Sequence, residues 1–299
     1  MSDSIHPLRT FLQLHLASDD AAVSNLPFVI QFLSPQHPST WITRINSLVH
    51  SKDPGARWAG LSIACQIALF SRALMLENAR NWVGAALPLF SRKEEPVPTL
   101  KAATRLLIYI FSVAIDTPEF QRQIASPNVP KFSLALTIVA ENHPSRELRL
   151  LAIDSLSALV PLYATLHKTL HGRLSALCLR QIGVSAGYPT DSSLTRAASC
   201  LYSVLPATGG KVGSTTLWRK SVDEVMVLSW ASLHALRTTF RPLRQHQSLQ
   251  EDPMVSIPLN VDRLRGAVFA LSGLLEYGQP RPGPFNCHWG LWLTSAKHY

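Results

Sequence analysis

Residues Ser145–Pro161 read SRELRLLAIDSLSALVP, and the spacing inside this stretch decides the fold. Leu148, Leu151, Ala152, Ser155, Leu156, Leu159 and Val160 fall at i, i+3, i+4, i+7, i+8, i+11 and i+12, one face of an α-helix. Arg149, Asp154 and Ser157 fall on the other side. Residues Ser192–Pro206, SSLTRAASCLYSVLP, repeat the pattern through Leu194, Ala197, Ala198, Leu201, Tyr202 and Leu205. Both helices are expected to stop at their prolines, which bring no N–H to a helical ladder.

Three more segments share the form: Ala56–Phe70 (ARWAGLSIACQIALF), Leu100–Ile115 (LKAATRLLIYIFSVAI) and Leu264–Leu275 (LRGAVFALSGLL). Each sets a small residue near its start and apolar residues four and seven positions on, bulky ones except for Ala64. The small residues Gly60, Ala103, Ala152, Ala197 and Ala267 are spaced by 43, 49, 45 and 70, the last gap leaving room for an additional helix. Periods of roughly 40–47 residues belong to HEAT and armadillo arrays, where a small residue lets one helix approach the next pair closely. The expected fold is therefore all-α, a HEAT/armadillo-like α-solenoid of stacked helix pairs; an ordinary helical bundle is the competing architecture. Residues 1–278 are read as one helical-repeat domain. Residues 279–299 lose helical periodicity and are read as a tail.

Start signals agree with a helical chain. Asp53-Pro54, Thr117-Pro118 and Ser126-Pro127 each place a capping residue before a proline suited to the first helical position. Ser221-Val-Asp-Glu224 reads as a capping box that starts a helix at Val222. Lys93–Pro98 is expected to be a short polar loop, Pro206–Thr216 a Gly-rich loop, and Arg241–Pro258 an irregular polar connection. No strand alternation is evident.

Apolar residues make up 46% of the 299-residue chain, enough for a sizeable core, while charged residues are only 16%, against roughly 25% in an average soluble protein. With 28 Lys+Arg against 19 Asp+Glu, the net charge of +9 favours acidic partners, nucleic acid or acidic protein segments alike. The cysteines, Cys65, Cys178, Cys200 and Cys287, form no CxxC pair; three lie in helical patterns as small hydrophobes. With no signal-peptide layout in MSDSIHPLRTFLQ and no Asn-x-Ser/Thr sequon, a reducing intracellular compartment is expected. The longest apolar stretch, near Leu106–Ile115, is about half of what a membrane span needs, so no membrane association is expected.

Motifs for chemistry are absent or incomplete. Gly209-Gly210-Lys211 fails as a phosphate-cradling loop, because Leu205 and Val212 stand where a glycine and a Ser/Thr are required. His167 and His171 are four apart but have only Cys178 nearby as a further zinc ligand, so both are read as surface or helix-end histidines. Cys287, His288 and His298 lack paired spacing. No G-x-S-x-G, H-E-x-x-H or G-x-G-x-x-G occurs, and a Ser/His/Asp site formed only in space would leave no motif. No catalytic residue, metal ligand or cofactor is assigned, and the chain is expected not to be an enzyme. Arg237, Arg241 and Arg244 at i, i+4, i+7, with Lys211, Arg219 and Lys220 flanking the start of the same helix, are the candidate contacts to an acidic partner or RNA. A cationic last turn that complements the helix dipole is the alternative role for the first three. Aromatic residues for base stacking are not interleaved with these charges. Trp58 and Trp230 are expected in the core; Trp41, Trp82 and Trp218 are placed near helix starts.

The stretch Ser51–Leu61, SKDPGARWAGL, resembles the ARWxGL signature of the Rix/PELP family of pre-rRNA-processing scaffold proteins. Similar stretches follow in order: Gly172–Leu179 (GRLSALCL), Ala198–Pro206 (ASCLYSVLP) and Trp218–Leu236, which contains WASLHAL. The similarity spans about residues 40–240. It implies the N-terminal helical-repeat domain of a non-catalytic scaffold in a nuclear complex that joins nucleolar and nucleoplasmic precursors of the large (60S) ribosomal subunit. It further implies support of processing at the second internal transcribed spacer and recruitment of a remodelling AAA ATPase. Implied partners are a WD-repeat propeller protein, another helical-repeat subunit, the AAA ATPase and the pre-60S particle, with weak rRNA contact. Arg57 and Trp58 match the signature and take a structural role on this reading. Members of the family continue into a long acidic tail, which this chain does not show up to Tyr299. A generic HEAT/armadillo adaptor in nuclear transport or trafficking is the alternative function.

Overall fold

The computed structural model describes residues 38–92, 94–183, 191–240 and 253–277, and among them there are helices and no strand. The principal helices are α1 (Pro38–Val49), α2 (Pro54–Phe70), α3 (Arg72–Ala86), α4 (Val97–Val113) and α5 (Ser126–Asn142). They are followed by α6 (Arg146–Leu162), α7 (His171–Ile182), α8 (Ser192–Val204), α9 (Gly210–Phe240) and α10 (Pro253–Tyr277).

Local chemistry places the starts. The Asp53 carboxylate accepts from the Ala56 N–H at 2.7 Å, and Ser71, Ser145 and Asp191 cap α3, α6 and α8 in the same way. A left-handed glycine, Gly183 at φ 106°, ends α7. Pro161 is accommodated in the last turn of α6, which runs one residue further than its proline suggested.

The even-numbered helices pack in sequence, α2 on α4, α4 on α6, α6 on α8 and α8 on α10. The odd-numbered helices lie against them, α1 on α2, α5 on α6, α7 on α8 and α9 on α10. Equivalent ends meet along the even row. Thr99 Oγ1 donates to the Pro54 carbonyl at 3.4 Å, Lys101 pairs with Glu147, and Arg146 pairs with the Asp191 carboxylate and donates to Ser193 Oγ at 3.0 Å. Each joins the N-terminal ends of adjacent helices, so α2, α4, α6 and α8 run parallel. The separations between partners are 45, 46 and 45 residues for Pro54–Thr99, Lys101–Glu147 and Arg146–Asp191.

Small residues sit where the rows approach most closely. Ala103, Ala152 and Ala267 are fully buried, and Gly60 is buried in α2. A Cβ on Gly60 would lie 2.6 Å from the Val49 nitrogen, against backbone that cannot swing aside. Gly60→Val is therefore expected to push α1 off α2 and cost about 1–3 kcal/mol. Gly84, in α3, is the control, since a Cβ added there would meet nothing within 4 Å. Gly84→Ala should be neutral or stabilising by up to ~1 kcal/mol. Urea melts of the two variants check both signs. Between α8 and α10 the approach uses Gly266 and Gly273, whose Cβ positions lie 2.7 Å from Thr195 Cγ2 and Ser203 Cβ.

Several sequence expectations are corrected. Pro206–Thr216 is not a loop: a short 3-10 turn, Leu205–Gly209, leads into α9 at Gly210, whose φ of 65° makes the bend. Ser221 is thus interior to α9 and 6% exposed, not a cap at a helix start. Ser126-Pro127 does not open a helix either. It continues one through Pro118–Phe120 and a π-turn, Gln121–Ala125. Pro127 and Pro130 bring no N–H there, and the Asn128 side chain donates to the Ile124 carbonyl at 2.8 Å. Pro253–Pro258 is helical, while 241–252 and the tail 279–299 lie outside the described residues. Trp82 sits late in α3 and Trp218 inside α9, not near starts. Trp230 is 67% exposed, because its side of α9 has no neighbouring helix among the described residues. Cys200 lies on the solvent side of α8, not inside.

Candidate functional site

Arg57, the charged residue of the ARWxGL stretch, lies on the first turns of α2 and is 6% exposed. Its guanidinium forks onto Glu95, with Nε donating to Oε1 at 3.0 Å and Nη2 to both carboxylate oxygens at 2.7 Å. Nη1 donates to the Ser51 and Lys52 carbonyls at 2.9 and 2.7 Å. Glu95 is 8% exposed and has Arg92 at 3.6 Å as a second cation. One side chain thus ties the α1–α2 turn to the segment before α4. The polar loop expected at 93–98 ends sooner, since α4 begins at Val97, and it sends the Glu95 carboxylate inward. Trp58, next to Arg57, is buried at 6% exposure.

The basic candidates separate. Lys211, Arg219 and Lys220 are exposed along the first half of α9, and Lys220 lies 3.8 Å from Glu224. They line one continuous helix instead of flanking a helix start. Arg237 falls in the last turn of α9, and Arg241 and Arg244 lie outside the described residues.

Other charges are consumed in joining neighbours. Glu141, at the end of α5, accepts from Arg173 at 2.5 Å and Arg180 at 3.2 Å on α7, and these guanidinium groups hold its carboxyl below the usual range. The Arg146 guanidinium, aided by the Leu194 and Ser193 N–H groups, holds Asp191 down at about 2. Asp154, half-buried on α6, is instead pushed up to about 6 by burial.

The structure also brings together a serine and a histidine. Ser133 Oγ lies 2.8 Å from His167 Nε2, and His167 Nδ1 lies 2.9 Å from the Tyr163 carbonyl. The carbonyl can only accept, so Nδ1 carries the proton and Nε2 accepts from the serine hydroxyl. The Tyr163 hydroxyl in turn donates to the Phe111 carbonyl at 2.6 Å, near the orphan end of α4. Ser133 and His167 are both 0% exposed, so a substrate would reach them only if helices parted. The pair joins elements of the core. His167 is therefore not a surface histidine but a buried one in the last turn of the short 3-10 helix Ala164–Leu170, and His171 begins α7, as a helix-end residue, with Nδ1 at 2.8 Å from Thr208 Oγ1. No local signal marked the pairing of His167 with Ser133, which lies 34 residues away.

Burial holds the His167 imidazole below its usual pKa, against a smaller upward pull from the Tyr163 carbonyl. The unfolded chain takes up that proton near pH 6.5 and the folded chain only at lower pH. Stability is thus present in full above about pH 6.5 and lost as pH falls below it. His171, likewise held low by burial, adds to this slope, while Asp154, held up at about 6, opposes it. Between pH 7.5 and 5.0 the denaturant midpoint of His167→Gln should therefore shift less toward instability than that of the wild type. An unchanged slope in the variant would remove His167 as its source.

Among the described residues, no group of three or more His, Cys, Asp or Glu is placed to hold a metal ion, and no helix is long and apolar enough to cross a membrane. A cleft of about 370 Å³ between α8 and α10 is lined by Ser192, Ser193, Arg196, Asp262, Arg265 and Phe269.

Fold and surface together define an all-helical protein whose helix rows are joined by buried and surface ion pairs. The family model for rRNA processing and ribosome biogenesis, RIX1, matches residues 9–187, and the chain belongs to this family. That span includes Arg57 and Trp58 and all of α7; the similar stretches at 198–206 and 218–236 lie beyond it. A search among curated proteins finds no match.

Proposed function

We propose that this RIX1-family chain is a non-catalytic scaffold subunit in biogenesis of the large (60S) ribosomal subunit, folded as a HEAT/armadillo-like α-solenoid of stacked helix pairs. The recurrence of end-to-end partners at 45, 46 and 45 residues along the even row is the observation that supports the solenoid. Equivalent positions of successive pairs meet at a constant sequence distance, as in an array of near-identical units. Membership in an rRNA-processing family supports the rest. Such an array offers long surfaces and acts by holding other macromolecules together.

On this reading the chain works in the nucleus, in the nucleolus and nucleoplasm. It docks a WD-repeat propeller protein and another helical-repeat subunit. It helps bring the remodelling AAA ATPase to the pre-60S particle while the second internal transcribed spacer is processed. The direct test is affinity purification of the tagged full chain from its own cells. The expected result is co-recovery of the propeller protein, the AAA ATPase and large-subunit precursor RNA. Recovery of the chain without any of these would overturn the assignment.

A further inference from the structure

We infer that the outward face of α9 is a docking site for an acidic amphipathic helix of a partner protein. The inference deepens the scaffold reading and rests on it for biological context, although its test does not require ribosomal material.

Helix α9 has two different sides. Ser221, Val225, Leu228 and Ser232, at i, i+4, i+7 and i+11, are buried or half-buried, and Trp218 on the same side donates from Nε1 to the Leu274 carbonyl of α10 at 2.8 Å. The opposite side carries Arg219, Asp223, Met226, Trp230 and Leu233, again at i, i+4, i+7, i+11 and i+14. Its apolar members are exposed: Trp230 at 67%, Leu233 at 46% and Met226 at 39%, with Val227 beside them at 69%. Scattered single hydrophobes on a surface need no explanation. Four contiguous ones at helical spacing, centred on a tryptophan, form the patch type that marks an interface.

The spacing selects the shape of the occupant. A ridge at i, i+4, i+7 and i+11 is what one helix presents to another, with anchors about 5 Å apart along the axis. The flanking charge selects its sign. Arg219 and Lys211 make no ion pair with the described residues, and Lys220 has only a loose one, 3.8 Å from Glu224. The whole chain carries +9, which draws acidic partners. RNA fits less well. Met226, Val227 and Leu233 offer phosphates nothing, whereas an amphipathic helix covers them with its apolar face and can keep its carboxylates on the Arg219 and Lys220 side, away from Asp223. A helix with acidic residues opposite Arg219 and Lys220, and apolar residues opposite Met226, Trp230 and Leu233, complements the cations and the apolar ridge together.

The probes are two synthetic helical peptides of about 20 residues with the same leucine spacing, one flanked by glutamates and the other by lysines. Each is titrated calorimetrically into the full chain. The acidic peptide should bind and the basic one should not. Trp230→Ala, with helicity checked by circular dichroism, should weaken binding at least about tenfold. The pair Arg219→Glu and Lys220→Glu should transfer preference to the basic peptide, which a merely structural role for these residues would not produce. Binding of neither peptide overturns the proposal, as does equal binding of both. Two further results would also overturn it: preferential binding of single-stranded RNA that survives Trp230→Ala, or self-association abolished by that substitution. If the peptides behave as expected while the full chain recovers no pre-60S component, the docking face stands and the scaffold assignment fails.

Discussion

Replacing Arg57 with alanine is expected to lower the stability of the chain by about 3–5 kcal/mol, the usual consequence of leaving one member of a buried ion pair without its partner. Glu95 is 8% exposed and takes three of its hydrogen bonds from Arg57, so the variant strands a desolvated carboxylate. Arg92, 3.6 Å away but with a side chain 54% exposed, replaces only part of the lost charge. The Ser51 and Lys52 carbonyls lose their shared donor at the same time. For a chain of this size, such a loss lowers the melting temperature by roughly 10 °C. Arg57→Lys keeps a charge but not the planar fork, and should fall between the two. The double change Arg57→Met with Glu95→Leu removes both charges and should recover most of the loss. Urea melts decide the matter. An Arg57→Ala penalty below about 1 kcal/mol would mean that solvent reaches Glu95 and that the pair does not hold the two segments.

Trp82→Ala should cost a similar amount, about 3–5 kcal/mol, by a different mechanism. Trp82 is 0% exposed and stands among the largest fully buried side chains. Its removal opens a cavity between α3 and its neighbours that the helices, fixed at both ends, fill only in part. Its Nε1 also donates to Asn46 Oδ1 at 2.8 Å, and Asn46 Nδ2 donates onward to Asn78 Oδ1 at 3.3 Å, linking α1 and α3. Trp82→Phe separates the two contributions. It retains most of the volume but orphans the Asn46 oxygen, a loss of about 1–3 kcal/mol. Equal melts for wild type and Trp82→Phe would show that the hydrogen bond contributes little beyond packing.

Much of the helical layout was legible in the sequence because its signals are local. Asp53 caps α2 just before Pro54, Gly60 falls where α2 meets the α1 backbone, and Ala103 and Ala152 are buried on the apolar faces of α4 and α6. The start of α9 was not legible. GGKVGSTT has the composition of a loop, and the helix is fixed there by contacts distant in sequence, such as Trp218 on Leu274, 56 residues on. Periodicity also misplaced Trp230. An apolar stripe looks the same in a sequence whether or not another helix covers it. Glu95 as the partner of Arg57, 38 residues away, and Ser133 as the partner of His167, 34 residues away, leave no local trace. Of the six basic candidates, those along the first half of α9 found a place on a describable surface, and the reason is the same unexpected helix that carries them.

The π-turn at Gln121–Ala125 holds one residue more than an α-helix of the same rise would need. The wide turn absorbs that residue, so the helix before it and the helix after it keep a common phase. Deleting any one of the five should let the turn heal into regular α-helix and leave Val129, Phe132 and Leu136, at 0% exposure, still facing inward. Deleting Ala135 from the regular helix that follows would instead rotate everything beyond it by about 100°, turning the exposed Ile138 inward and the buried Val139 toward water. The irregularity acts as a slack link, taking up a surplus residue that straight helix would pass on as almost a third of a revolution.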